Sequence, residues 1–529
     1  MTPTPMYRWG GLLLISCLYI FILLPINLSA CKENKAQSNN FTPEEERYDN
    51  LISDKWMGIY FKGNKLGFTN SVIYEGKDGY KVVSKAIIKM KALGEIQETS
   101  FSQESYLTKD LRTKGFNSLN QIAGHRQKIS GIVKDDKLYI EIASAGAVSK
   151  RTISFDKDTH LTGALELVIG KLGLEVGKKY SLKTFMEPIQ TVLPLQIEVK
   201  GKEKIKIPPS PILGEGQGEG IEREIFYIEE RFKDLKANIW VTPEGEVIKE
   251  VSVEGLESKR EDKDTALSFK GEILPISSLM TFSLIKPNRE IKDPHSIKKL
   301  KLTLKNISNP DIIIEDQRQK VLKKSRVESQ ESGVRRNVYD IEMEVKNQKS
   351  EARSQKPEEK NLEKYLEDTP EIQSGNPEIK KKALEIVGNE SDPRLKHSGA
   401  SLLSKALKIN KWVYDYLSKK PVDTFSAVDA LMSKEGECQS HSNLFAALSR
   451  ASGIPTKIVS GIVYSEEYSG FLYHAWTEVY AGEWIALDPT LDEEEVDATH
   501  IKLVEGGWEE QIKLLHYIGK VGIEIVEVN

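Results

Sequence analysis

From about Trp56 to Phe269 the chain keeps to one pattern: short runs rich in Ile, Val, Tyr and Phe, alternating with polar residues. The segments GIYFKGNKLGFTNSVIYEG, YKVVSKAIIKMKAL, KLYIEIASAG and ANIWVTPEGEVIKEVSVEG carry it, punctuated by Gly-Asn, Lys-Asp-Gly, Lys-Asp-Asp-Lys and Pro-Glu-Gly. A period of two places the apolar side chains on one face of a strand, and closely spaced turns join neighbours antiparallel. The expectation over 55–270 is an antiparallel sheet with one buried face. It would be a sandwich or a curved half-barrel that holds something apolar. Inside it, Pro208-Pro209-Ser210-Pro211 and the following GEGQGEG cannot bury a core and read as an exposed loop.

Beyond this region the periodicity changes twice. Residues 271–345 read as a smaller mixed β segment, with strands such as LKLTLKNI and VYDIEMEV. A charged linker over 346–374 opens with KNQKSEARSQKPEEKN. From about 375 apolar residues recur at three- and four-residue spacing, as in EIKKKALEIVG and SLLSKALKINKWVYDYLSKK, which predicts helices. A third helix is expected over Cys438–Ser452, stopped by Gly453 with Pro455 beyond it. KIVSGIVY, LYHAWTEVY and EWIALDP then read as strands, so 375–529 is expected to be an α+β domain. A chain of 529 residues exceeds one hydrophobic core, and the whole reads as multidomain. A net charge of -4, with no basic run interleaved with aromatics, argues against a nucleic-acid partner.

The first 31 residues stand apart. Arg8 is their only charged side chain, the apolar run GGLLLISCLYIFILL follows from Gly10, and Leu28-Ser29-Ala30-Cys31 comes after. This reads as an export signal, with an uncleaved membrane anchor as the alternative, for which the run falls short of a full span of about 20 residues. The Leu-Ser-Ala-Cys ending resembles a bacterial lipobox, which implies cleavage before Cys31 and a lipid on its thiol. Residues 32–54 would then tether an envelope protein to a membrane, facing the periplasm or the exterior. By resemblance to enterobacterial sorting, Lys32 would permit outer-membrane delivery. Of three cysteines, Cys17 would leave with the signal and Cys31 would carry lipid, so Cys438 alone remains as a thiol. No intramolecular disulfide framework can then form.

Cys438 sits in Gly436-Glu437-Cys438-Gln439, at the first turn of its helix. Gly436 allows a tight entry. Backbone N–H groups and the helix dipole favour a thiolate there, and the Cys438 N–H can bind an oxyanion. His474 and Asp488 lie on two strands joined around Ala481-Gly482-Glu483. With a three-residue loop Tyr480 faces Trp484, Asp488 faces Trp476, and His474 and Asp488 become diagonal neighbours on one face. A two-residue loop would put them on opposite faces. The triad reading thus depends on an odd-length turn.

GECQSHSNLFAALSRASGIPTKIVSGIVY, YHAWTEVY and EWIALDPT resemble the transglutaminase-like superfamily of papain-like thiol enzymes, over about residues 380–525. The resemblance implies Cys438 as nucleophile, His474 as general base and Asp488 as its orienter, with no cofactor and no metal. Trp476 matches the aromatic after the histidine and is expected to line the cleft. Gln439 and Ser440 stand where the family often has an acidic residue, which leaves substrate selection open. Gln439 is an oxyanion or cleft candidate.

Rival readings rest on nearby residues. His441, three residues after Cys438, is an alternative base. Cys438, His441, His474 and Asp488 are ligand types for zinc, and the acidic run Asp492–Glu495 for calcium, without the spacing of a known loop. His500 is expected to be a structural or surface histidine. The resulting expectation is an envelope-anchored thiol enzyme acting on protein or peptide amide bonds. Hydrolysis comes first and amide transfer second. A non-catalytic peptide-binding or assembly lipoprotein is the alternative from another class.

Overall fold

The computed structural model describes residues 47–529 apart from 93–94, 123, 189, 208–220, 233–234, 253–254, 270–272, 276–277, 279–281, 332–333, 348–360, 389–398 and 421–423. The export signal over 1–31, the lipid on Cys31, the Pro/Gly insert and much of the 346–374 linker fall outside those residues. So does the tether up to residue 46; the rest of 32–54 is not tether throughout. Strand β1 (Asn50–Phe61) already begins at Asn50, which pairs with Glu75. The chain divides into two compact units at 276/277.

In the first unit, fifteen strands among the described residues form a single sheet. They pair in sequence order from an edge at β8 (Ala147–Ser154) back to β1. From there β1 pairs with β15 (Leu256–Glu261), and the order runs back to the other edge at β9 (Thr159–Leu161). Turn chemistry explains the tightest hairpins. Lys62-Gly63, with φ of 47° and 80°, and Asp135-Asp136, with 49° and 54°, each close a two-residue loop. Positive φ at both central residues matches the right-handed twist of the flanking strands.

The sheet curls rather than pairing with a second sheet. One apolar cluster brings Phe116, Leu138 and Ile140 together with Phe155, Leu161 and Phe185, residues from distant parts of the strand order. Another packs Leu165 and Ile169 of helix α1 (Leu165–Lys171) against Leu195, Ile197, Ile228 and Ile239. A large antiparallel β region is therefore present, and the sandwich alternative does not describe it.

The interior also holds ionisable groups. Lys55 pairs with Glu166, both buried. Glu230 on β12 (Ile221–Phe232) and Glu250 on β14 (Val247–Ser252) flank β13 (Leu235–Val241). Burial, and then the Glu250 carboxylate, push the Glu230 carboxyl up to about 8, and burial does the same to Glu250. A raised carboxyl stabilises the fold below its unfolded value of 4.5 and loses that contribution as pH rises through about 8. Glu230→Gln should therefore stabilise this unit at pH 9 by on the order of a few kcal/mol, and hardly at all at pH 5. Thermal melts at the two pH values, with amide exchange in β12–β14, test this. An equal shift at both would show the charge to be irrelevant.

In the second unit a four-stranded sheet has the order β17 (Gln319–Glu331), β18 (Val334–Lys346), β16 (Lys299–Ile307), β25 (Gly522–Val528). Alternation in KLKLTLKNI buries Leu300, Leu302 and Leu304 on one face. The last strand of the chain pairs with β16, Leu302 against Ile525 and Leu304 against Ile523. The strands of the smaller mixed β segment over 271–345 thus share a sheet with the chain's end.

After the short helix α2 (Lys263–Leu267) of the first unit, helices α3 (Pro377–Val387), α4 (Gly399–Tyr416), α5 (Ala427–Ser433) and α6 (Cys438–Ala451) precede the second sheet of this unit. That sheet has the order β23 (Trp484–Leu487), β22 (Gly470–Tyr480), β21 (Thr456–Ser465), β24 (Ile501–Glu505). Helix α7 (Trp508–Leu515) follows. All of β21 and nearly all of β22 are buried, because both faces are covered. Ile462, Tyr473 and Leu503 share an apolar cavity with Leu304, Ile307 and Ile312 of the first sheet and its adjoining loop. Helix α6 packs on β22 and β21. Helices first and sheet second, this is the α+β region in which the chemistry-bearing residues lie.

Candidate active site

The approach to Cys438 is shaped by glycine. Gly436 has φ of 155°, and a Cβ there would stand 2.3 Å from the Ser440 Cβ. Only glycine lets the chain enter the helix at this angle. Glu437 is the extended N-cap residue, its side chain not capping the helix, so Cys438 is the first helical residue. The Glu437 carbonyl accepts from the His441 backbone N–H at 3.0 Å. The earlier N–H groups of the turn have no such intrahelical acceptor, and they gather where the dipole is positive. Cys438 is 2% exposed and in no disulfide.

His474 and Asp488 meet through the hairpin. Tyr480 pairs with Trp484 and Thr477 with Leu487, so the loop is the odd-length Ala481-Gly482-Glu483 and both residues fall on one face. Asp488 lies one residue past β23. There its N–H donates to the Glu493 carbonyl at 3.0 Å, and its own carbonyl accepts from Glu493 at 3.1 Å. The His474 Nε2–H donates to Asp488 Oδ2 at 2.6 Å. Asp488 Oδ1 accepts from the N–H groups of Thr490 at 2.7 Å and Leu491 at 3.1 Å. Burial alone would raise this carboxyl, but the His474 and His500 rings outweigh it and hold Asp488 well below the usual carboxylate range. An ionised carboxylate fixes the ring so that Nδ1 is the nitrogen left for a reacting group.

The remaining candidates separate. His441 donates from Nδ1 to the Glu437 carbonyl at 2.8 Å. Burial pushes its imidazole down to about 4, so it is neutral and a feeble base near pH 7. Trp476, expected to line the cleft, is instead fully buried because its sheet is covered on both faces. It stacks near-parallel on His474 at 6.4 Å and meets His500 edge-on at 5.3 Å. Gln439 is likewise buried. Its amide donates to Asn443 Oδ1 at 2.9 Å and accepts from Gln511 Nε2 at 3.0 Å, tying α6 to α7. That engagement is structural, and the oxyanion role considered for its side chain finds no support in it.

His500 is not a surface residue. It is fully buried, with Nε2 3.3 Å from Asp488 Oδ2 and Nδ1 3.3 Å from Asp497 Oδ1. Asp497 also meets His295, which contacts Glu493 at 2.8 Å. The acidic run accordingly splits: Asp492 pairs with Lys411 at 3.0 Å, while Glu493 faces the site. Of the two readings given for His500, structural or surface, burial leaves the structural one. Asp497 and His295 drew no role from the sequence, where the i, i+3 spacing of Asp497 and His500 was a signal. Ligand atoms of His474, Asp488 and His500 lie within 4.8 Å of one another. At 2.6 Å, however, the His474–Asp488 contact is a charge-assisted hydrogen bond. Two donors sharing a tetrahedral zinc stand about 3.3 Å apart.

Residues 381–489 match the family model described as the transglutaminase-like superfamily. Among solved structures, the chain is similar to a candidate cysteine protease from Cytophaga hutchinsonii at 19% identity, covering 44% of this chain and 86% of that one, with a TM-score of 0.27. It is similar to a beta-barrel-like protein from Brucella abortus, of a domain of unknown function, at 11% identity over 39% and 95% of the two chains, TM-score 0.29. A candidate protease from Parabacteroides distasonis is matched at 10% identity over 69% and 64%, TM-score 0.18. No curated protein matches the chain.

Proposed function

We propose that the second unit is a thiol enzyme that cleaves amide bonds, peptide or isopeptide, by way of a thioester. The observation that carries this reading is the buried His474–Asp488 bond of 2.6 Å, on the strand pair that α6 packs against with Cys438 at its first turn. The transglutaminase-like domain supports it. In this reading His474 Nδ1 takes the Cys438 proton and the sulfur attacks the carbonyl carbon. The Cys438 N–H holds the oxyanion. The C–N bond then breaks and the leaving amine takes the proton from His474. Water, deprotonated by the same ring, attacks the thioester carbon; the C–S bond breaks, and the proton returns to the Cys438 sulfur as the acyl group leaves as a carboxylic acid. Cys438 and His474 are each 2% exposed, so a substrate must displace the side chains above them.

The setting belongs to the same proposal. A lipid on Cys31 would hold the enzyme on an envelope membrane, where protein or peptide substrates are at hand. The test is to incubate the purified protein with peptide amides and thioesters, quench in acid and map adducts by mass spectrometry. An acyl mass on Cys438, released by hydroxylamine and by water, is expected. Release only to an added amine would make the activity amide transfer. Absence of any Cys438 adduct under turnover would remove the proposal.

A further inference from the structure

We infer that His500 is a positioning residue of this site: a buried cation that keeps Asp488 ionised and oriented toward His474. The inference rests on the triad reading above and adds a fourth residue to it.

The hydrogen-bond inventory of Asp488 carries the argument. Its Oδ1 is taken by the N–H groups of Thr490 and Leu491, at 2.7 and 3.1 Å. Its Oδ2 is shared by two rings, His474 Nε2 at 2.6 Å and His500 Nε2 at 3.3 Å. The far nitrogen of His500 is engaged as well, 3.3 Å from Asp497 Oδ1 and 3.9 Å from Glu493 Oε2. Both nitrogens of one ring therefore face carboxylate oxygens, which can only accept. A neutral imidazole carries one N–H and would set its lone pair against an anion on one side or the other. An imidazolium donates on both sides. Burial by itself would strip the charge, but Glu493, Asp488 and Asp497 outweigh it and push His500 up to about 10. The ring also meets Trp476 edge-on at 5.3 Å, which fixes its plane.

The groups facing His500 come from several elements. Asp488 and His474 belong to the hairpin of β22 and β23, and Glu493 and Asp497 to the loop that precedes β24. Arg318 donates from Nη2 to the Asp497 carbonyl at 2.7 Å and to the His500 carbonyl at 3.5 Å. His295 contacts Glu493 and Asp497 from the outer side, with a side chain 59% exposed. The Asp497 and Glu493 carboxylates push His295 up to about 10. Lys419 adds positive charge felt at Asp488. Three carboxylates are thus interleaved with cations, and His500 is the ring that shares Asp488 Oδ2 with His474.

The consequence is a division of labour. Asp488 must stay a carboxylate at every pH at which the enzyme works, yet it is wholly buried, and burial favours the protonated form. His474 alone cannot guarantee ionisation, because its charge comes and goes as it carries the proton. His500 takes no part in that transfer and keeps its charge throughout.

The rate of Cys438 alkylation by iodoacetamide from pH 4 to 9 tests this in the full chain. It is read at the Cys438 peptide by mass spectrometry, so that Cys17 and Cys31 do not interfere. In His500→Gln, Asp488 should protonate at higher pH and the acid limb should move up by at least one pH unit. The rate should fall at least tenfold at pH 6 and recover largely by pH 9. If His500→Gln melts below the assay temperature, Asp497→Asn, which leaves both rings in place, should shift the limb in the same direction. A profile scaled uniformly down, or unchanged, would reduce His500 to packing and overturn the inference. His474→Gln separates the two claims. It should give slow alkylation with only the profile of an unassisted thiol. Wild-type behaviour in His474→Gln would remove the triad itself, whereas a normal response there with no shift in His500→Gln removes this inference alone.

Discussion

An alanine at position 438 should leave the protein folded and lower amide cleavage by roughly 10⁴- to 10⁶-fold, to whatever binding and oxyanion contacts retain. The loss is expected at this residue more than at any other because two requirements converge on it. The nucleophile must be a thiolate, and the first turn of α6 supplies N–H groups that have no acceptor within the helix and a positive dipole end at that position. Structurally the change is small. Losing one buried sulfur from a site already crowded by α6 and β22 costs about 1 kcal/mol, which moves a melting midpoint by a few degrees at most. Activity and stability therefore part company, and the comparison of a melt with an adduct map reads both. If the alanine variant still carries an acyl adduct, or cleaves within tenfold of the wild-type rate, the nucleophile lies elsewhere. His441 cannot take over the base function near pH 7, since burial holds its imidazole down to about 4.

Local rules made part of this legible in the sequence. Strand parity is one such rule: with Tyr480 opposite Trp484, His474 and Asp488 had to share a face, and the structure joins them at 2.6 Å. Turn chemistry is another, since Lys-Asp-Asp-Lys announces the hairpin that Asp135 and Asp136 make with positive φ. What stayed hidden depends on residues far apart in the chain. Nothing in LKLTLKNI says that its partner is the chain's last strand, because any alternating strand offers the same backbone groups. His500 reaches Asp488 through an irregular loop, and the pairing of β21 with β24 shifts register between Ser460 and Gly461. No period predicts such a path. Trp476 was misplaced for a related reason. An aromatic beside a catalytic-looking histidine is as well suited to a core as to a cleft, and only coverage of both sheet faces decides. Helix α5 spans seven residues, too few for periodicity to register.

Asp488→Asn should lower the rate about 10²- to 10⁴-fold at every pH, with no compensating recovery at high pH. The substitution preserves shape and removes acceptors. The carboxylate takes four donors, from Thr490, Leu491, His474 and His500. An asparagine has one acceptor oxygen, and its NH₂ can only donate. With the oxygen toward the rings, the NH₂ faces two backbone N–H groups. Turned the other way, it faces His474 and His500, and His474 must flip or adopt the tautomer that presents N–H to the thiol. Either choice leaves buried donors unpaired, at about 1–3 kcal/mol of stability. The pH dependence separates this from a generic lesion. The folded-state value of Asp488 is depressed, so its contribution is present above the unfolded value of 3.8 and is lost as pH falls through the lower folded one. The gap in melting temperature between wild type and variant should therefore be widest at neutral pH and close progressively below 3.8. Acid titration of both melts, beside alkylation rates of Cys438, measures the two effects. A variant that alkylates within threefold of wild type across the range would show that the His474–Asp488 bond orients nothing the thiol depends on. The hairpin that brings the two residues together would then be scaffolding.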